Sequence, residues 1–309
     1  MRAHRRSDPM KTSPPATTNA KHLPPNAPRP PDHATLAALL EATYVRWHRI
    51  EEVERDPLRF PRRFRLRQDR EAAGFIASAF AFGRVAAFLP VLETLFERLG
   101  PSPAATIANL SQDQALALAA GLGYRFARPH HVAGLLRGIG AMSRIDGGPE
   151  SFIERSLGEG RSVTAGLSDL ARAVRTGAGD LDPGFLVPLE GRAGPLKRLH
   201  LFLRWMVRND GIDLGEWAKI PASTLVMPMD VHVGRISRLL GLIPPRRSNP
   251  NLADAVALTR ALAVFDPLDP VRFDFALSHV GISGHCTGLN SAACERCPLS
   301  PVCTVHAQH

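Results

Sequence analysis

Four cysteines close the chain, Cys286, Cys294, Cys297 and Cys303, and no other residue of the sequence is Cys. Their spacing, C-x7-C-x2-C-x5-C, reads as one tetrathiolate site closed within a single short loop. Four thiolates suit a [4Fe–4S] cluster or a structural zinc ion. Zinc sites of this kind usually carry two C-x2-C knuckles, each wrapping one side of a tetrahedron. Here there is one knuckle, Cys294 and Cys297, with outer ligands some distance to either side. That suits a loop wound around a larger object, which puts the cluster first and zinc second. Disulfides come third, because the sequence lacks the apolar stretch of a secretory signal and a reducing compartment is expected.

A second group with chemical capacity precedes the cysteines. Asp230 stands in Met227-Pro228-Met229-Asp230-Val231-His232-Val233, before a run with helical periodicity. Asp there is an ordinary helix N-cap, and equally a carboxylate that capping N–H groups would keep ionised. Lys197 opens another apolar helix after Gly191-x-x-Gly194. A lysine at that position is either a surface residue or an amine whose pKa burial and the helix dipole lower until it becomes a nucleophile. His232 is a possible partner of Asp230, and more simply a packing residue.

The elements that must position these groups are helical. Apolar residues recur at three and four positions over 36–47, 72–87, 89–99, 111–122, 129–142, 149–157, 164–174, 197–206, 231–240, 251–265 and 270–280, each stopped by Gly or Pro. Thr35 is the expected N-cap of the first helix. Leu199, Phe202, Leu203 and Met206 share one face of the 197–206 helix, and Trp205 and Phe202 are assigned to the core. β-Branched alternation is missing, so the fold class is all-α. Residues 1–33 hold eight prolines and a net charge of +4 and read as a disordered tail, with 34–309 as the folded unit.

At 33.5 kDa and 44% hydrophobic residues the chain has material for a sizeable core. No run approaches the ~20 apolar residues that span a bilayer, so a cytoplasmic protein without a membrane partner is expected. The formal charge of +9, carried far more by Arg than by Lys, suits a phosphate-rich partner. Arg198, Arg204, Arg208, Arg235 and Arg238 are candidate phosphate contacts near the site. The basic run from Arg62 to Arg70 is a phosphate-facing rim or, more simply, a solvated helix start.

The order of these features resembles the helix-hairpin-helix DNA glycosylases of the endonuclease III and adenine glycosylase type. In that superfamily an Asp in a V-D-x-H-V-like segment precedes a helix ending in Gly, and then a cysteine loop. More closely, Leu199-x-Leu-Phe-Leu-Arg-Trp-Met-Val-Arg208 and Pro228-x-Asp-Val-His-Val-Gly-Arg look like a bacterial family of unknown function within the same superfamily. The resemblance implies a two-lobed all-α glycosylase-like fold, with 67–210 as one lobe and 34–66 plus 228–309 as the other. It implies a cluster on the loop 286–303, DNA as partner and a monomeric enzyme. Asp230 would stabilise an oxocarbenium-like transition state, and Lys197 would be the Schiff-base nucleophile of a glycosylase/AP lyase acting on damaged or mispaired bases. Two departures stand out. The first cysteine gap is one residue longer than in the superfamily, and 33 positions separate Lys197 from Asp230, more than those enzymes have. The alternative is a non-catalytic nucleic-acid-binding iron–sulfur protein on a degenerate glycosylase scaffold. Electron transfer is weaker still, since no ferredoxin-type C-x2-C-x2-C run is present.

Overall fold

The computed structural model describes residues 32–189, 194–246, 248–282, 284, 286–289 and 291–305. Residues 1–31 of the proline-rich tail and Gly191 of the expected hairpin lie outside the described residues, while Asp32 and His33, expected in the tail, already cap and open the first helix. Among the described residues there is no strand, only an isolated bridge between Tyr124 and Ala127, and the fold is all-α. No described helix is long and apolar enough to cross a membrane.

Helix α1 (His33–Trp47) is capped by Asp32, whose carboxylate accepts from Ala34 N and Thr35 N. Thr35 lies inside the helix, because the carboxylate upstream reaches two unpaired N–H groups that the Thr35 hydroxyl cannot. Three short 3₁₀ segments, Ile50–Arg55, Pro57–Arg59 and Pro61–Arg63, lead to α2 (Arg67–Ala79) and α3 (Val85–Leu99). The break between them falls at 80–84, earlier than the apolar run 72–87 suggests. Gly83 turns the chain at φ +75°, a backbone conformation that strains any other residue, and the Tyr124 hydroxyl would have to move aside for a Cβ there. Helices α4 (Pro103–Ile107), α5 (Gln112–Ala119), α6 (Pro129–Ser143), α7 (Glu150–Gly158) and α8 (Val163–Gly177) follow. The short α4 has no periodic signal in the sequence; it starts where buried Asp69 accepts from Ala104 N.

The second half contains α9 (Lys197–Val207), α10 (Val231–Leu239), α11 (Leu252–Leu262) and α12 (Asp274–Ile282). In packing, α6 lies against α5 and α8, and α7 against α8. Helix α9 packs on α2 and α8, while α1 and α10 pack on α12 and α11 on α10. One contiguous set of buried side chains, from Leu36 to Val302, runs through both groups. Helix α9 is the axis. The expected single apolar face is exceeded, for every residue from Arg198 to Val207 is buried, Phe202 and Trp205 completely. Most polar side chains of a helix buried all round find partners inside the protein, although the Trp205 indole N–H has none among the described residues. Arg198 donates to Ala79 O, His200 meets the Thr164 hydroxyl at 3.3 Å, and Arg204 is paired with carboxylates.

Candidate active site

Lys197 is the first residue of α9 and Asp230 caps α10, and the fold brings these helix starts together. Asp230 Oδ1 accepts from His232 N and Val233 N, both at 2.9 Å, while Oδ2 accepts from Lys197 Nζ at 2.8 Å. One carboxylate therefore serves as both cap and ion-pair partner, each through its own oxygen. The two side chains retain 27% and 19% of their exposure, enough to open on a cleft of about 700 Å³. Its walls come from the turns at 54–59, the corner at 81–89, and the helices α9, α10 and α12. Leu196, just before Lys197, is buried and in the left-handed region at φ +52°, a conformation that costs a branched side chain about 1–2 kcal/mol. Strain of that kind is held only where the surroundings fix the chain, and here it aims Lys197 into the cleft.

The electrostatics of the pair correct one expectation. Burial pushes Lys197 down, but the Asp230 carboxylate outweighs it, with Asp274 and Asp56 adding to the effect, and the ammonium is held above its usual range. In this arrangement the amine is protonated, whereas the nucleophilic role expected a lowered pKa. For Asp230, burial works upward and is overcome by the Lys197 charge and the capping N–H groups, which bring the carboxyl down to about 2. His232 packs on α12: a Cβ at Gly281 would lie 2.7 Å from His232 Cβ, so the two helices approach at a position that only glycine allows.

Behind the pair lies a buried network absent from the sequence-based site. Arg204 Nη1 donates to Asp274 Oδ2 and Nη2 to Asp213 Oδ1 at 3.0 Å. Arg208 donates to Asp213 at 2.7 Å and Asp269 at 2.9 Å, and pairs with Asp210 at 2.8 Å. Arg204 and Asp274 line the cleft. A signal was present, since Arg204 and Arg208 sit four apart, flanking the apolar run Trp205-Met206-Val207, where an exposed reading is the harder one.

Three of the five predicted phosphate contacts are turned inward. Arg198, Arg204 and Arg208 are 7%, 2% and 3% exposed and are used inside the protein. Arg235 donates to Cys286 O at 2.6 Å and Arg238 to Asp254 at 3.3 Å. Four arginines of the run from 62 to 70 are engaged as well: Arg62 donates to Ile212 O, Arg63 pairs with Glu93, Arg67 with Glu71 and Glu150, and Arg70 with Glu216, while Arg65 is exposed. The exposed cations on the cleft wall are instead Arg55 and Arg84.

The cysteine loop is tied to α10 at both ends, by Arg235 to Cys286 O and by Thr304 N to Leu239 O at 2.9 Å. Cys297 N donates to Cys294 O at 3.1 Å and Cys303 N to Ser300 O at 3.1 Å, two single turns that each end on a cysteine. All four thiols are free. Burial pushes the Cys297 thiol up, and the three other thiols of the loop add to the rise. Among the described residues no three His, Cys, Asp or Glu side chains are closed to metal-ligating geometry. The donor set, four free thiols on one loop with a turn at the C-x2-C knuckle, fits the chemistry of a thiolate-held metal group.

The fold and site thus define an all-α protein with a lysine–aspartate ion pair in a cleft between helix N-termini. The chain belongs to the protein family of unknown function DUF2400, whose model matches residues 56–283, a span that contains Lys197, Asp230 and Asp274. No curated protein and no solved structure matches it.

Proposed function

We propose that this protein is a base-excision DNA glycosylase with AP lyase activity, acting in the cytoplasm as a monomer on damaged or mispaired bases in DNA. The observation that carries the reading is the 2.8 Å contact of Lys197 Nζ and Asp230 Oδ2 across 33 residues of sequence, inside a cleft large enough for a nucleobase. Excision builds positive charge at the sugar C1′, and an ionised carboxylate fixed by two backbone N–H groups stabilises that charge without reorganising. The amine beside it attacks C1′ once it gives up its proton, forming the Schiff base that permits strand cleavage. A base enters such a cleft only when extruded from the duplex, and Arg55 and Arg84 at the wall would meet the flanking phosphates. Cys286, Cys294, Cys297 and Cys303 would hold a [4Fe–4S] cluster, with zinc as the alternative, which supplies rigidity and local charge and no turnover.

The test is reduction with borohydride in the presence of duplex DNA carrying one abasic site. Wild-type protein becomes covalently attached; Lys197→Ala does not, and binds the same DNA within a few-fold, having lost one phosphate contact at most. Attachment that persists in Lys197→Ala moves the amine elsewhere, with Lys219 next in line. The protonated state of Lys197 favours a second reading, a non-catalytic DNA-binding protein, for which no attachment forms and no lesion in a broad panel is excised although DNA is bound.

A further inference from the structure

Lys197 must lose a proton before it can attack, and its direct partner is badly placed to take it. Asp230 spends one oxygen on two backbone N–H groups and the other on the ammonium itself, and is a weak base. A second carboxylate opens on the same cleft. Asp274, the first residue of α12, has a side chain only 2% exposed; its Oδ2 accepts from Arg204, and its Oδ1 meets the Ser278 hydroxyl at 3.5 Å, one turn further on. Asp274 and Ser278 both line the cleft with Lys197.

Arg204 is shared. Its other nitrogen serves Asp213, which also takes Arg208, and Arg208 meets Asp210 and Asp269 as well. Two guanidiniums thus face four carboxylates, and this corner of the protein carries excess negative charge that favours taking up a proton. The charged groups facing Asp274 are Arg204 and Lys197 from α9 and Asp230 from α10. Asp56, from the turns before α2, acts on both Arg204 and Lys197, and from α1 the His48 ring stands edge-on to Phe275 while pairing with Asp210. Burial, the largest influence, pushes the Asp274 carboxyl up against the pull of Arg204 and Lys197, and Asp230 adds to the rise. Two carboxylates of one cleft driven in opposite directions divide into a charge stabiliser and a proton carrier.

The geometry points to Asp274 as the proton-transfer residue of this cleft, working through the Ser278 hydroxyl, with Asp230 confined to charge stabilisation. This rests on the lyase reading above. On an abasic-site aldehyde, Lys197 gives one proton to the Ser278 oxygen as that hydroxyl passes its own to Asp274. The freed lone pair forms the N–C1′ bond, and the carbonyl π pair moves onto oxygen. That alkoxide takes a second proton from the nitrogen. Asp274 then returns the first proton, through Ser278, to the same oxygen, which leaves as water while the nitrogen lone pair closes the protonated imine.

The experiment is single-turnover borohydride trapping of the full-length protein on duplex DNA with one abasic site, from about pH 6 to about pH 10. Asp274→Asn keeps an acceptor for Arg204 and removes the titrating oxygen. It is expected to trap about 10²-fold more slowly at neutral pH, with the deficit closing toward alkaline pH as hydroxide removes the Lys197 proton, and with binding to the same DNA unchanged. Ser278→Ala, which leaves the Arg204 pair in place, shows a smaller deficit with the same pH dependence. Trapping by Asp274→Asn at the wild-type rate, or slowed equally at every pH, overturns the assignment. Where Asp274→Asn does not fold, Ser278→Ala decides, and wild-type kinetics in that variant overturn it. A wild-type protein that traps at no pH removes the lyase reading and this inference with it, a result distinct from a trapping wild type with an indifferent Asp274→Asn.

Discussion

Replacing Asp230 with Asn separates the two uses of that carboxylate. Asn caps helices about as well as Asp, so the bonds to His232 N and Val233 N survive, while the charge facing Lys197 is gone. Asp230 titrates at about 2 in the folded protein against an ordinary 3.8, and the difference makes its ionised form worth roughly 2 kcal/mol to the fold. The side chain is mostly buried, so solvent removes little of that. A depressed carboxyl contributes above its unfolded pKa and loses the contribution as pH falls through the folded one. The gap between wild type and Asp230→Asn is therefore expected to be flat from neutral pH down to about pH 4.5 and to close toward pH 2. The same pair holds Lys197 above its usual range, so the gap also closes at strongly alkaline pH, when the ammonium is lost. Asp230→Ala loses the cap as well, a further ~1 kcal/mol. Denaturant unfolding of the three proteins across pH measures this, and at neutral pH the melting point of Asp230→Asn falls by about 4–8 °C. The reasoning fails if Asp230→Asn is as stable as wild type at pH 7, or if its deficit is unchanged at pH 3.

Three further outcomes are expected. Arg204→Met leaves Asp213 and Asp274 buried without their shared cation and costs about 3–5 kcal/mol at neutral pH, less in acid as the carboxyls protonate; a variant of wild-type stability refutes the network. Gly281→Ala sets a methyl 2.7 Å from His232 Cβ, an atom that no rotamer change can move, and is expected to cost about 1–3 kcal/mol, against near-neutrality if α10 and α12 are loosely packed. Cys294→Ser or Cys297→Ser lowers both bound metal and the unfolding temperature of protein prepared with iron and sulfide or with zinc; wild-type melting in both variants means the loop is not a folding site.

The sequence by itself determined the helical class, because three-and-four periodicity ended by Gly or Pro is local and survives any packing. It also determined that Phe202 and Trp205 are core, that Asp230 starts a helix, and that all four thiols fall on one short loop. Tertiary structure alone decided the rest. That Lys197 meets Asp230 depends on α9 and α10 starting side by side, which no spacing over 33 residues encodes. Whether the arginines of α9 face phosphate or protein depends on what surrounds the helix. A helix buried all round turns Arg204 and Arg208 from candidate DNA contacts into the centre of a carboxylate network. The direction of the Lys197 pKa was likewise out of reach, because burial and a neighbouring charge act with opposite signs and only the 2.8 Å distance settles which prevails. Asp274, 77 residues beyond Lys197 in the chain, enters the cleft only because α12 packs between α1 and α10, where long-range contacts place it.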